Sequence, residues 1–418
     1  MYRMDSKPPW GDNLYYFFKW SCISCFIGML VGAVGMVFGH GVIWATDFWM
    51  NHSWTLYLAP VSGVFIVWLY QVFHEEKNGG TNMVLESISS NREVTPATGP
   101  LIFISTLLTH LVAGSAGREG AALQLGGCLG NQIGRLMDLD EKDKKIAVMC
   151  GMSACFAALF GTPMAAGVFA LEVISIGILY YAALVPCLFA AFIGAGISKL
   201  CNLKPERFLL ESVPAFTPKM AVLTVILGIL CAVVSIVFCV VLHQSGRIYK
   251  KYFPNSYIRI AAAGGFLILL TLMVGSRDYN GSGILLVERC MEGEWVSPGA
   301  FLLKMIFTGI VLGAGFKGGE IVPTLCVGAT FGAAMGQIFG IDPALCATCS
   351  MAALFVGVTN CPIATVLLAF EMFGYEAMPY FAVIVAVSFT LSGYYGLYSS
   401  QKFIYSKIRT EYINIKSH

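Results

Sequence analysis

The sequence predicts an all-α polytopic membrane protein, and two observations carry this prediction. Hydrophobic residues make up 57% of the 418 residues, and the mean hydropathy is +0.73, more than a water-soluble domain of this size contains. Charges are also absent from long stretches: only Glu172 is charged between Lys145 and Lys199, and nothing is charged between Lys219 and Arg247. Because about 20 residues cross the hydrocarbon once, the first stretch is long enough for more than two crossings.

Composition and motifs exclude several classes of function. A net charge of +2 offers no basic footprint for nucleic acid. Most of the 14 cysteines lie inside apolar runs, where a cysteine behaves as a small hydrophobic residue, and neither Cys-x-x-Cys pair has a zinc-spaced partner. HExxH, GxSxG and paired intramembrane aspartates are absent from the sequence, which argues against an intramembrane enzyme. We therefore expect no enzymatic activity, no metal site and no cofactor.

The two halves of the chain repeat the same pattern of glutamate and proline. The repeated residues are Glu119, Pro163 and Glu172 in the first half and Glu320, Pro362 and Glu371 in the second. The first glutamate precedes the proline by 44 positions (163−119) or 42 (362−320), and the second glutamate follows nine positions later in both halves. Repeats with matching interrupted segments are typical of secondary transporters, whose sites lie near the membrane midplane.

Both repeats begin in a glycine-rich break, "AGSAGREG" and "GAGFKGGE". The start of a helix exposes unpaired N–H groups and a partial positive charge, and glycine allows the backbone to approach a ligand closely. The pattern therefore predicts one anion site made by two helix starts. Glycine clusters also serve as packing surfaces in membrane helices, and this alternative stays open for each cluster.

Glu119 in "GREG" is the candidate proton carrier. A carboxyl beside an anion site in low dielectric can gain and lose a proton, and a carboxylate can occupy the anion site itself. Competition of this kind would couple anion and proton movement. The alternative is a structural ion pair with Arg118, which we consider the weaker interpretation because adjacent residues of a helix do not face each other.

Four motifs, "GREGAALQLGG", "GTPMAAGVFALE", "FKGGEIVPTLCVGATFG" and "QKFIYSKI", resemble those of the CLC family of chloride channels and anion/proton antiporters. They span residues 117 to 408. The resemblance implies an inverted-topology repeat of tilted and re-entrant helices, and a homodimer with one anion pathway in each subunit.

The resemblance also implies the site. Glu119 matches the external gating glutamate, Tyr405 the anion-coordinating tyrosine, and the stretch from Gly318 to Pro323 the second helix start at the anion. Gating and proton transfer are assigned to Glu119 and Glu320. The anion-binding residues expected on this basis are Gly80, Thr81, Asn82, Met83, Gly117, Arg118, Gly120, Gly319, Ile321, Val322 and Tyr405.

Three departures from the chloride-handling pattern narrow the expectation. "GGTNMVLE" stands where those members have a serine on the anion, Val173 stands where proton-coupled exchangers often carry an internal glutamate, and Glu320 replaces an apolar residue. These departures resemble the bacterial fluoride/proton antiporter branch. We therefore expect fluoride export in exchange for protons, with a chloride/proton exchanger or a passive chloride channel as the alternative.

Four further side chains have competing interpretations. Glu320 could instead cap its own helix start. The symmetry of Glu172 and Glu371 favours paired structural hydrogen bonds over a role in transport. His110 is more simply a packing residue than a proton relay.

The expected organisation is a cytoplasmic segment 1–17, a transmembrane domain 18–408 with halves at roughly 18–200 and 220–408, and a cytoplasmic tail 409–418. Only 13 residues follow the motif tyrosine (418−405), so no C-terminal regulatory domain is expected. Basic residues near the termini favour a cytoplasmic location for both. The expected setting is the lipid bilayer of a bacterial cell membrane.

Overall fold

A computed structural model describes residues 10–90, 92–210 and 212–418. The first eight α-helices are α1 (Trp10–Asn51), α2 (Ala59–Val72), α3 (Thr81–Ser90), α4 (Thr98–Leu111), α5 (Glu119–Leu136), α6 (Glu141–Phe160), α7 (Pro163–Glu172) and α8 (Leu184–Leu200). The next eight are α9 (Pro218–Tyr252), α10 (Ser256–Val274), α11 (Ile284–Met291), α12 (Ala300–Ala314), α13 (Ile321–Phe339), α14 (Pro343–Thr359), α15 (Pro362–Phe373) and α16 (Met378–Leu391). Each helix of the first set has a counterpart of similar length in the second, so the predicted repeat extends to whole helices.

Helix lengths agree with a bundle of crossing and partly inserted helices. Within the described residues, six helical segments are long and apolar enough to cross a membrane. Six further apolar helices have only 10–17 residues, too few for most of them to cross alone. The central span of α13 is 83% buried inside the protein, whereas that of α10 is 28% buried. The predicted all-α class with short, re-entrant elements is therefore confirmed, with α13 in the interior and α10 at the surface.

Local signals repeat as well. Asp140 caps α6 by accepting hydrogen bonds from two backbone N–H groups, and Asp342 caps α14 in the same way with one. Both helices end on a residue in the left-handed conformation, Gly161 (φ 72°) and Asn360 (φ 60°). A proline then opens α7 and α15. The same start and stop signals thus place the two short helices at equivalent positions.

Each half packs its central helix pair through glycine. A Cβ atom on Gly126 of α5 would lie 2.2 Å from the Gly151 carbonyl oxygen of α6, and one on Gly332 of α13 would lie 2.3 Å from the Cys346 carbonyl oxygen of α14. No side chain fits at such distances, so the backbones touch. This contact fixes the helices that begin at the two glycine-rich breaks.

The two halves are joined at α7 and α15 by reciprocal caps. The Glu371 carboxylate accepts hydrogen bonds from the backbone N–H groups of Met164 (3.0 Å) and Ala165 (2.9 Å) at the start of α7. The Glu172 carboxylate accepts from those of Ile363 (3.2 Å) and Ala364 (2.9 Å) at the start of α15. Each glutamate therefore satisfies the free donors of the other helix, and the predicted paired hydrogen bonds are present. Because each glutamate follows its proline by nine positions, it lies near the end of its own helix and beside the start of the other helix.

Two features of the chain ends differ from expectation. Helix α1 begins at Trp10, inside the segment 1–17 that we assigned to an N-terminal tail, and residues 1–9 lie outside the described residues. The expected tail contains β3 (Tyr412–Lys416), antiparallel to β2 (Lys402–Tyr405), which runs parallel to β1 (Ser175–Ile176). Segments rich in β-branched and aromatic residues thus add a small sheet to the otherwise helical fold.

Candidate functional site

The two glycine-rich breaks meet in the structure. Gly117 and Gly319 form an isolated antiparallel bridge in which each N–H donates to the other carbonyl oxygen at 2.6 Å. Residue 319 has to be glycine, because a Cβ atom there would lie 2.4 Å from the Gly120 backbone nitrogen. The starts of α5 and α13, the two breaks expected to share one anion, are therefore held side by side.

Glu119 is the first residue of α5 and is 1% exposed. Its Oε2 accepts a hydrogen bond from the Arg118 backbone N–H at 3.0 Å. Its Oε1 lies 3.4 Å from Arg118 Nε but accepts no hydrogen bond from any described residue. The ion pair that we considered the weaker interpretation thus exists, because Arg118 precedes the helix and the spacing rule for helical neighbours does not apply to it. One carboxylate oxygen still lacks a donor.

Glu320 is the residue before α13 and makes no side-chain hydrogen bond to the start of its own helix. The alternative in which it caps α13 is therefore absent. Its Oε2 lies 3.0 Å from the point where a Cβ atom on Gly120 would be, so the carboxylate is directed toward the first helix start. Ile321 and Val322 follow as the first buried residues of α13.

Two cavities approach the bridge. The Glu119 cavity has a volume of about 370 Å³ and is lined by Arg118 and Glu119 among others. The Glu320 cavity has a volume of about 460 Å³ and is lined by Glu320 and by basic residues, among them Arg247 and Lys250 at the end of α9. Glu320 does not line the first cavity, nor Glu119 the second. The residues that flank the Gly117–Gly319 bridge thus divide between the two cavities: Arg118 and Glu119 line the first, and Gly318 and Glu320 line the second.

Three of the four residues 80–83 line the Glu320 cavity: Gly80, Thr81 and Asn82. The Thr81 hydroxyl donates to the Gly120 carbonyl at 3.3 Å, which places the start of α3 beside the start of α5. Met83 lies elsewhere, in a small apolar cluster with Val94 and Cys128. The structure therefore brings the first three predicted anion-binding residues together and leaves out Met83.

The structure also leaves out Tyr405. This residue ends β2, is 47% exposed, and packs its ring against Tyr412. Of Tyr398 and Tyr405, both near the C-terminus, Tyr398 is the buried one: it is 0% exposed, and its hydroxyl has no hydrogen-bond partner among the described residues. The sequence contains two tyrosine-serine pairs, "LYSS" and "IYSK", and the expected tyrosine, Tyr405, belongs to the exposed one.

The comparisons with known proteins decide the family. Residues 62–393 match the family model described as the voltage gated chloride channel. The chain belongs to this family, the CLC family. The match covers both helix starts at the bridge, and the predicted resemblance to this family is confirmed.

Relatives of this CLC protein include transporters named for fluoride and for chloride. It is 31% identical over 408 residues to the "Chloride/fluoride channel protein" of Pseudomonas syringae pv. tomato, covering 96% of this chain and 90% of the relative. It is 27% identical over 275 residues to an H(+)/Cl(−) exchange transporter of Vibrio cholerae, covering 61% of this chain and 58% of that one.

Among solved structures, a crystal structure described as a CLC-type fluoride/proton antiporter superposes with a TM-score of 0.89 at 31% identity, covering 92% of this chain and 98% of that chain. A slow cyanobacterial Cl−/H+ antiporter superposes with a TM-score of 0.78 at 20% identity, a likeness of fold. The CLC fold of this chain is thus shared with solved structures described as proton-coupled antiporters.

One buried charged residue near the CLC site, Lys304, has clear structural partners. Lys304 of α12 is fully buried, and its Nζ donates to Ser115 Oγ (3.0 Å) and to the carbonyls of Tyr279 (3.1 Å) and Gly281 (2.7 Å). It ties the first glycine-rich break to the loop before α11. Sequence reasoning missed Lys304, although a lysine inside an apolar helix is itself a signal of an internal polar role.

His110 and Val173 are both buried, and their hydrogen-bond partners differ. His110 Nδ1 pairs with the Thr106 carbonyl at 2.8 Å, while its Nε2 is buried without a partner in the described chain, and the residue lines the Glu119 cavity. Val173 is fully buried, and its carbonyl accepts a hydrogen bond from Gln401 Nε2 at 2.9 Å. His110 is thus more than a satisfied packing residue, whereas position 173 offers only a backbone carbonyl.

Proposed function

We propose that this CLC protein exports fluoride in exchange for protons, with Glu119 as gate and proton carrier. One observation carries the proposal: at the point where two helix starts meet, Glu119 is buried with one carboxylate oxygen free of hydrogen bonds. The 31% identity to a fluoride/proton antiporter of nearly the same length supports fluoride as the substrate.

The coupling follows from competition for the helix starts. An ionised Glu119 satisfies the positive potential there and excludes an anion. A protonated Glu119 loses that attraction and leaves the helix starts to an anion from the Glu320 cavity. Because the same positive region holds either the carboxylate or the anion, each anion that passes requires a change in the protonation of Glu119.

Fluoride is small and strongly hydrated, so its site has to replace water with compact donors. We assign the Asn82 amide and the unpartnered Tyr398 hydroxyl to the anion, whereas the Thr81 hydroxyl already donates to the Gly120 carbonyl and holds the start of α3 in place. The Asn82 Oδ1 already accepts from the N–H and the hydroxyl of Ser400, both at 2.9 Å, which leaves its NH₂ group as the donor for an anion. We assign Glu320 to the second step, in which it takes up the proton or holds the donors around the ion.

The ends of the two long helices, α9 and α1, support an orientation. The basic end of α9 lines the Glu320 cavity, and basic residues are enriched on the cytoplasmic side of membrane proteins. The end of α1, with Asp47 and Trp49, lines the Glu119 cavity. We therefore assign the Glu320 cavity to the cytoplasm and the Glu119 cavity to the outside of a bacterial cell membrane, and we expect a homodimer as in the family.

Flux measurements in proteoliposomes test the proposal. Purified protein is reconstituted into vesicles loaded with fluoride or chloride, and anion efflux and internal pH are recorded together. We expect fluoride efflux with proton uptake, and little chloride efflux. Equal chloride exchange would favour the chloride/proton alternative, and fluoride efflux without proton movement would favour a channel.

A further inference from the structure

The Arg118 guanidinium lies between two carboxylates. Its Nε is 3.4 Å from Glu119 Oε1, and its Nη2 is 3.1 Å from Glu206 Oε1. Nη2 also reaches the Leu159 carbonyl at 3.5 Å. The second oxygen of Glu206, Oε2, is buried and accepts no hydrogen bond in the described structure. One cation is therefore shared by the carrier candidate and by a glutamate from the connection between the two halves.

The segment that carries Glu206 is held in place on both sides. The Leu203 N–H donates to the Ser198 carbonyl at 2.9 Å, and the Phe208 N–H donates to the Met372 carbonyl at 2.9 Å. Pro205 packs on Gly161 so closely that a Cβ atom there would lie 2.4 Å from it. The Glu206 carboxylate is thus presented to Arg118 by a fixed backbone.

We propose that Glu206 is a positioning residue that anchors Arg118 at the wall of the Glu119 cavity, so that Glu119 separates from Arg118 when it takes up a proton. The proposal rests on the proposed role of Glu119 as proton carrier. Without the Glu206 charge, the guanidinium pairs with Glu119 alone and stabilises its ionised form, because an opposite charge at this distance favours ionisation. Glu206 therefore keeps the gate available for protonation.

Other charged and titratable groups face the same cavity from the neighbouring elements. They are Asp47, His110, Lys204, Arg207, Arg277, Asp278 and Glu288. Glu288 on α11 lines this cavity but makes no salt bridge or hydrogen bond to Arg118 in the described chain. Neutralising Glu288 is therefore the matched control: it removes one negative charge from the same cavity and leaves the Arg118 contacts intact.

Infrared spectroscopy of the full-length protein in lipid tests the anchor. The C=O stretching band of protonated Glu119, identified as the band missing from Glu119→Gln protein, is titrated in wild-type, Glu206→Gln and Glu288→Gln protein. We expect Glu206→Gln to move the protonation midpoint to lower pH by about one unit. Glu288→Gln should move the midpoint by less. Glu206→Asp keeps the charge, so its midpoint should lie between those of wild type and Glu206→Gln protein. This variant is used in place of Glu206→Gln if Glu206→Gln protein does not fold.

Equal midpoints in Glu206→Gln and Glu288→Gln protein would overturn the proposal. Fluoride binding provides a second measurement: at a pH below both protonation midpoints, where Glu119 is neutral in both proteins, the dissociation constant of Glu206→Gln protein stays within about twofold of wild type, whereas its transport optimum moves to lower pH. The infrared band reports protonation and not flux. A wild-type protein that fails to exchange fluoride for protons would therefore overturn the proposed function and leave the Glu206 result standing.

Discussion

Two pairs of glutamates occupy equivalent positions in the repeat and have opposite surroundings. At the junction of α7 and α15, both oxygens of Glu172 and of Glu371 accept backbone hydrogen bonds. At the meeting of α5 and α13, Glu119 has an oxygen without a donor and Glu320 makes no hydrogen bond to its own helix start.

This difference separates structural glutamates from a glutamate that can carry a proton. A buried carboxylate whose two oxygens are bonded to a helix start stabilises the fold and loses much by moving. A carboxylate with a free oxygen beside a cavity loses less by moving or by accepting a proton. The same residue type thus serves both purposes in one chain, and the number of N–H donors at each carboxylate distinguishes them.

The largest effect on stability is expected at Glu172 and Glu371, whose carboxylate oxygens all accept backbone hydrogen bonds. Glu172→Ala leaves two backbone N–H groups at the start of α15 without an acceptor. We expect a loss of about 3 kcal/mol in the free energy of unfolding, measured by denaturant titration in mixed micelles. The protein that remains folded should still exchange the anion for protons. An unchanged stability would mean that the reciprocal caps do not hold the two halves together.

A smaller loss is expected when the bridge is crowded. Gly319→Ala places a methyl group 2.4 Å from the Gly120 nitrogen, so the two helix starts have to separate. We expect about 2 kcal/mol of destabilisation and a strong loss of anion flux. Gly265→Ala on the surface of α10, where nothing lies within 4 Å of the new Cβ atom, is the control and should be neutral or slightly stabilising. If both variants transport alike, the bridge is not the anion site.

The smallest effect compares two tyrosines. Tyr398→Phe removes a buried hydroxyl that we assign to the anion, and we expect fluoride affinity, measured by isothermal titration, to fall about fivefold, or about 1 kcal/mol. Tyr405→Phe changes an exposed side chain and should leave affinity unchanged. The reverse result would restore the tyrosine that the motif suggested.

Much of this arrangement could be predicted from the sequence because it is repeated locally. The glycine-rich breaks mark the two helix starts. The prolines that open α7 and α15 and the spacing of the glutamates mark the two reciprocal caps. None of these signals requires knowledge of distant contacts. These signals also predicted that "GREG" and "KGGE" act together, and the structure joins them through Gly117 and Gly319.

The remainder depends on contacts that no local pattern contains. Arg118 and Glu206 are 88 positions apart, and Glu206 lies in an irregular connection whose path only the fold determines. The choice between Tyr398 and Tyr405 depends on burial, since both are followed by serine. The Arg118–Glu119 pair was undervalued because a rule for helical residues was applied to a residue that precedes the helix.

The most direct measurement compares proton movement in variants of Glu119, which has a carboxylate oxygen without a donor, and of Glu371, whose two oxygens both accept hydrogen bonds. Fluoride efflux and proton uptake are recorded simultaneously in vesicles containing wild-type, Glu119→Gln or Glu371→Gln protein, each normalised to folded protein. We predict that Glu119→Gln abolishes proton uptake driven by fluoride, whereas Glu371→Gln preserves the ratio of protons to fluoride. Proton uptake that persists in Glu119→Gln protein, or disappears in Glu371→Gln protein, would contradict the assignment of the proton to the carboxylate with the free oxygen.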